Sequence, residues 1–311
     1  MQISVYKSCY SSKFKFIDNV NIVSMNHIKK LSLGAFYDEN GNKIVGACRA
    51  GGRGGDHILD ISPMYYLPSK NNDIVRGRSL YLGPNMSHYG HFIIETLSRM
   101  WIGQFEYFDN IILSPFIFGI KIVKFQVDFF KLFGIPLEKI KIIDNEFYYE
   151  ELYIPDQLWK INEHPSKLVG KVYDFIRKFY LNKINDTTQK FTRIMLSDLN
   201  ENHRLANKSE IQEYLSSVGY KIIYPELLSF EQVMFYYTTA KYIVTLSGTL
   251  AHNALFFNED VHVFEILDQR TPKKPLSLQE DIYLLREISY EYIEYTGKNG
   301  HINIENIKSK L

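Results

Sequence analysis

A chain of 311 residues is long enough for about two domains of roughly 150 residues, each burying its own core. Lysine plus arginine number 36 and aspartate plus glutamate 35, so no global field points to nucleic acid or an anionic membrane as the main partner, and any anion site must be local. Two cysteines exclude a disulfide framework and a zinc site built on cysteine pairs.

The opening, MQISVYKSCYSSKF, has no long apolar run, and no stretch of about 18 uninterrupted apolar residues follows it. The expectation is a cytoplasmic protein, at most peripheral to the inner face of a membrane. The first 80 residues read as short strands: ISVY, KFIDNVNIVSM, LGAFYDENGNKIVGACRA and HILDISPMYYLP, with Asp38 to Asn42 as a hairpin turn. AGGRGGDH lacks both the Walker spacing and a G-x-G-x-x-G, and reads as a loop. Residues 85–101, NMSHYGHFIIETLSRMW, read as a helix. NIILSPF, KIKIIDN and EELYIPD read as strands, with VKFQVDFFKLFGI as a helix that stops at Gly134. Strands alternating with helices predict a parallel α/β layer.

PSKLVGKVYDFIRKFYLNKI reads as an amphipathic helix, followed by a polar linker from Asn185 to Lys190. Beyond it the pattern restarts as strand TRIMLS, helix KSEIQEYLSSVG, strand YKIIYP, helix SFEQVMFYYTTA, strand KYIVTLS, helix TLAHNALFF and strand VHVFEI. That is a Rossmann-like run, in which ligands bind outside the carboxyl ends of the strands. A strand, SYEYIEYTG, and a final helix, NIENIKSKL, close the chain.

Three stretches could carry chemistry. On a wheel of about 100° per residue, Ile93, Ile94, Leu97, Met100 and Trp101 form one face of the 85–101 helix, and His88, His91, Glu95 and Arg99 line the other. Glu95 and Arg99 could simply pair at i,i+4. His88, His91 and Glu95 could instead form a metal-binding face, though the H-E-x-x-H spacing is absent. His91 with Glu95 one turn on also fits a general base oriented by a carboxylate. The second stretch is KYIVTLSGTLAHNALFF, where a strand runs through Ser247, Gly248 and Thr249 into a helix, a place for a diphosphate. The third is LNENHRLANKSE, where Arg204 and Lys208 could reach an anion.

Together, HYGHFIIETLSRMW, RLANKSEI, PELLSFEQVMFYYTTAKYIV and SGTLAHNALFF, in this order, resemble the glycosyltransferase family 61 (DUF563) proteins, which include bacterial capsular polysaccharide enzymes. The resemblance covers about residues 80 to 305. It implies a GT-B fold, an α/β architecture of two Rossmann-like lobes with a β-rich N-terminal portion and the site between the lobes. The expected boundaries are residues 1–185 for an acceptor-side lobe and 186–311 for a nucleotide-sugar lobe, with the final helix returning to the first lobe.

The family's helix motif falls on Gly90, His91, Phe92 and Glu95, its Arg-x-x-Asn on Arg204 and Asn207, and its nucleotide-sugar loop on Gly248, Leu250 and Asn253, with Gln232 supplied by SFEQ. The chain departs from the family at Ser197-Asp198, where Ser-Arg is common, at Asn207-Lys208, where Asn-Glu is common, and at Ser247-Gly248, where His-Gly is common. Asp-x-Asp occurs nowhere in the chain.

The expectation is an inverting, metal-independent glycosyltransferase (a hexosyl- or pentosyltransferase) without a cofactor. It takes a nucleotide sugar and a saccharide acceptor in capsule or other surface polysaccharide synthesis. His91 and Glu95 are the expected catalytic pair, and Asn85, His88, Arg99, Arg204, Asn207, Lys208, Gln232, Ser247, Gly248, Thr249 and Asn253 the expected substrate contacts. The alternatives are a metal-dependent enzyme on the His88, His91 and Glu95 face, or a non-catalytic glycan-binding subunit.

Overall fold

The structure, a computed structural model, describes residues 1–11, 15–20, 29–33, 35–48, 63–67, 73–116, 121–143, 145–160, 163–183, 190–199, 205–295 and 301–311. The AGGRGGDH loop, Arg204 and all of the expected linker but Lys190 lie outside the described residues. The chain divides into two compact units, Met1–Val169 and Gly170–Leu311.

In the first unit, β1 (Ile3–Ser11), β4 (Phe36–Tyr37), β5 (Asp73–Pro84), β6 (Asn110–Ser114), β7 (Ile140–Ile142) and β8 (Phe147–Pro155) form one sheet in the order β4-β1-β8-β5-β6-β7. β2 (Lys15–Val20) and β3 (Lys29–Leu33) pair separately. β5 through β8 are parallel, while β1 and β4 run antiparallel at one edge. The hairpin before β5 turns on Asp38, whose Oδ1 accepts the N–H groups of Asn40 and Asn42. Phe36, Val75, Tyr81, Ile112, Tyr149 and Leu152 build the core against this sheet, with Cys9 among them. Both cysteines are buried free thiols, and burial pushes that of Cys9 up to about 12.

β5 is the hub. From its carboxyl end the chain passes through a helical segment, opening as α1 (Tyr89–His91), to β6 on one side. It continues through α2 (Lys124–Leu132) and β7, and then returns as β8 on the other side of β5. Strand order therefore reverses between β5 and β8, and a crevice at such a switch point is where open α/β sheets bind ligands.

The second unit comprises α3 (Gly170–Leu181), β9 (Arg193–Leu196), α4 (Lys208–Ser217), β10 (Lys221–Ile223), α5 (Phe230–Thr239), β11 (Tyr242–Leu246), α6 (Thr249–His252), β12 (His262–Ile266), α7 (Ser277–Arg286), β13 (Ser289–Ile293) and α8 (Ile304–Lys308). Its five strands are all parallel in the order β10-β9-β11-β12-β13, which places the switch point between β9 and β11. Met195, Val244, Phe264 and Ile266 pack against Ile211 and Leu215 of α4.

Two helices near the unit boundary and the chain end are placed by their partners. α3 belongs to the second unit, because Asp174 accepts from Arg286 of α7 at 2.8 Å and Arg177 bonds Glu259. The final helix packs within the second unit: Ile302 and Ile307 are buried in its core, and Asn207 clamps the backbone of Ile302 through both its N–H and its carbonyl.

Gly83, near the carboxyl end of β5, has φ +94°, and a Cβ there would stand 3.2 Å from Arg99 Nε. Left-handed backbone and close approach together demand glycine. Gly83→Ala is expected to lose about 1–3 kcal/mol of stability, read as a lower urea midpoint at unchanged slope.

Candidate active site

The segment after β5 is helical but not uniform. One α turn, Tyr89–His91, opens into a π turn over Phe92–Thr96 and tightens to 3-10 geometry over Leu97–Ile102. π turns inside helices commonly mark functional sites. Phe92 holds this stretch in place against Phe125, Phe129 and Phe130, with ring centroids 5.4–5.9 Å apart.

His91 and Glu95 meet here. His91 Nδ1 lies 2.7 Å from Glu95 Oε1, and the carboxylate side chain is 3% exposed while the imidazole is 39% exposed. With Glu95 ionised, the carboxylate accepts only, which puts the hydrogen on Nδ1 and leaves Nε2 as an acceptor. His88 is exposed and packs edge-on against His91 at 5.3 Å between ring centroids. Among the described residues, no group of three or more His, Cys, Asp or Glu side chains is placed to hold a metal ion.

Arg99 corrects the helical wheel. It leaves the His91–Glu95 stripe because the π and 3-10 turns break the 100° spacing. It is 2% exposed, and its guanidinium donates to the Pro155 carbonyl at 2.8 Å and to Gln157 Oε1 at 3.1 Å. Asn85 is likewise fully buried, donating to the Lys121 carbonyl and accepting from Gln126 of α2 at 2.8 Å. Both side chains, expected to contact substrate, tie the carboxyl end of β5 to its neighbours.

In the second unit, Ser247 extends the ladder beyond β11 by donating its N–H to the Ile266 carbonyl. Gly248 follows at φ +100°, ψ −142°, a conformation essentially reserved for glycine, and Thr249 starts α6 half-buried. α6 is four residues long, and the 3-10 turn Asn253–Phe256 continues it. Asn253 folds back to the Leu250 carbonyl at 3.0 Å. Gln232 closes a capping box with Ser229 at the start of α5. Lys208 is engaged with Asp198, its Nζ 2.9 Å from the carbonyl and 3.1 Å from Oδ1. Asn207, Gln232, Asn253 and Lys208 thus all bond protein groups that set local structure.

Three residues escape the sequence reading. Glu265 of β12 is fully buried beside Ser247, with Tyr283 Oη donating to it at 2.9 Å. Beyond β12, Asp268 is 3% exposed, and Arg270 lies over it with Nε and Nη2 between 2.6 and 3.0 Å from its oxygens. Arg270 Nη2 also reaches the Ser247 carbonyl at 3.4 Å. The one available signal was position: all three stand at the carboxyl end of a parallel strand next to the Ser247 turn.

Residues 89–264, more than half of the chain, match the family model described as Glycosyltransferase 61. The match begins at the helical segment that carries His91 and ends within β12, so it spans both candidate sites and stops short of Asp268 and Arg270. No match is found among curated proteins.

Burial raises Glu265 to about 7 from an ordinary 4.5, offset in part by the Tyr283 and Ser247 hydroxyls, raised further by Asp268 and lowered by Arg270. The folded chain therefore holds a proton that the unfolded chain has released. Stability from this site is fully present below about pH 4.5 and is lost as pH climbs through about 7, a change on the order of 3 kcal/mol. Glu265→Gln, which keeps an acceptor for Tyr283, is expected to melt near wild type at pH 5 and several degrees above it at pH 8.

Proposed function

The chain belongs to glycosyltransferase family 61, and from that premise we propose that it moves a sugar from a nucleotide sugar to a saccharide hydroxyl, with inversion, without a metal, and with His91 as the base. Glycosyl transfer, with a sugar donor and an acceptor, comes with the family. The observation that carries the finer reading is the His91–Glu95 pair: a buried carboxylate 2.7 Å from Nδ1, and an imidazole open to solvent.

The acceptor hydroxyl gives its proton to Nε2 as its oxygen bonds the anomeric carbon. The bond from that carbon to the donor phosphate breaks, and the nucleoside diphosphate leaves with the electron pair. Glu95 keeps the ring oriented and stabilises the imidazolium as it forms. Charge on the leaving group is met by fixed donors and cations, which is electrostatic preorganisation. The donor belongs in this reading to the Ser247-Gly248-Thr249 turn, where Gly248 lets a diphosphate approach the backbone.

The GT-B class, a role in capsule or other surface polysaccharide synthesis and a cytoplasmic location are part of the same proposal. Its support is that each unit by itself is a layer with parallel strands and a topological switch point, and that no helix among the described residues is long and apolar enough to cross a membrane.

The test measures release of nucleoside diphosphate from a panel of nucleotide sugars in the presence of saccharide acceptors. His91→Ala is expected to lower kcat by roughly 10²- to 10⁴-fold while nucleotide affinity stays as in the wild type. Glu95→Gln, which keeps the shape and removes the charge that orients the ring, is expected to lower kcat while nucleotide affinity stays as in the wild type. Turnover within a few-fold of wild type in His91→Ala would remove His91 as the base.

A further inference from the structure

We propose that Arg270, locked in place by Asp268, is the cation that holds the diphosphate of the donor; this rests on the glycosyl-transfer reading and adds a residue beyond the segment matched to the family.

Two described groups near the turn offer little to an anion. α6 has four residues, too few aligned peptides for a substantial dipole at its start. Lys208 is 13% exposed, against 34% for Arg270. Among the described residues, the strand next to β11 brings a cation to the same turn. β11 and β12 run parallel with Leu246 opposite Ile266, so the chain leaves both strands at the same edge of the sheet. Four residues past Ile266 stands Arg270.

Its setting is that of a fixed anion receptor. The loop wraps around Asp268, whose Oδ1 accepts the Arg270 backbone N–H at 2.9 Å and whose carbonyl accepts the Thr271 N–H. The same carboxylate takes Nε and Nη2 of the guanidinium, so the rotamer is set before any ligand arrives. Nη2 points toward the Ser247 carbonyl, which places the guanidinium beside the Gly248 turn. Nη1 donates to no described residue, and the side chain is 34% exposed. The carboxylate is 5% exposed and lies behind the guanidinium, so an approaching anion meets N–H donors first. Guanidinium is also the side-chain group whose planar fork suits phosphate oxygens. As the glycosidic bond to phosphate breaks, negative charge grows on the leaving diphosphate, and a cation fixed beside it stabilises that state more than the ground state.

The experiment is calorimetric titration of the full chain with uridine, guanosine, adenosine and thymidine diphosphates and with the matching unphosphorylated nucleosides. The variants are Arg270→Gln and Arg270→Lys. The diphosphate that the wild type binds best is expected to lose roughly 10- to 100-fold in affinity in Arg270→Gln, while its nucleoside binds as before. Arg270→Lys, which keeps the charge over Asp268 but loses the fork, is expected to fall between them and guards against a folding defect in the glutamine variant. Diphosphate affinity within twofold of wild type in both variants overturns the assignment of Arg270 and leaves the glycosyl-transfer reading standing. A wild type that binds none of the diphosphates overturns both.

Discussion

The buried guanidinium of Arg99 determines how the first unit presents its chemistry. It donates to the carbonyl that ends β8 and to Gln157 just beyond, and it lies against the backbone of Gly83 near the end of β5. Those two strands flank the point where strand order reverses. Set between two carboxyl ends, the guanidinium gives the Pro155 carbonyl and the Gln157 side chain a donor in a buried setting. Ser98 and Trp101 add bonds to the same stretch, through the Trp159 and Asp156 carbonyls. The 3-10 end of the helical segment is thereby anchored, its start is held by the phenylalanine cluster around Phe92, and the π turn between them carries Glu95. The catalytic pair of the proposal thus stands on a stretch fixed at both ends.

Legibility in the sequence followed regularity. Most of the second unit could be read from alternating strands and helices, because each element is short, periodic and bounded by a breaker such as Gly219 at φ +91°. α7 escaped because its buried face includes Gln279 and Arg286 beside Ile282 and Tyr283, so the apolar period is masked by polar groups that find partners only in three dimensions. The hub strand β5 escaped for a related reason. The stretch from Asp73 carries no element in the sequence reading, and Gly77 at φ +77° sits at a register shift where the N–H groups of Gly77 and Arg78 go to Glu150 and Asp109, 73 and 31 residues away. The pairing of His91 with Glu95 was legible because i,i+4 neighbours meet in most helical geometries. The place of Arg99 was not, because the segment changes its turn between them.

The departures from the family pattern also change meaning once distances are known. The chain carries Asp198 where an arginine is common and Lys208 where a glutamate is common. Lys208 Nζ stands 3.1 Å from Asp198 Oδ1, so the two departing positions form one ion pair in this chain. The pair ties the end of β9 to the start of α4, with both side chains largely sheltered.

A carboxyl group beneath an anion site is an apparent conflict, since Glu265 lies next to the Ser247 turn where the donor phosphates are proposed to bind. Burial resolves it. The low-dielectric sheet interior disfavours the ionised form strongly enough to hold Glu265 near 7, and the Tyr283 hydroxyl gives it a hydrogen-bond donor. Asp268, 5% exposed, lies against the guanidinium of Arg270 and anchors it. Two acidic residues three positions apart therefore differ in setting: one grips a cation, and the other is pushed toward its neutral form by burial, a difference of burial and partner that no residue identity specifies.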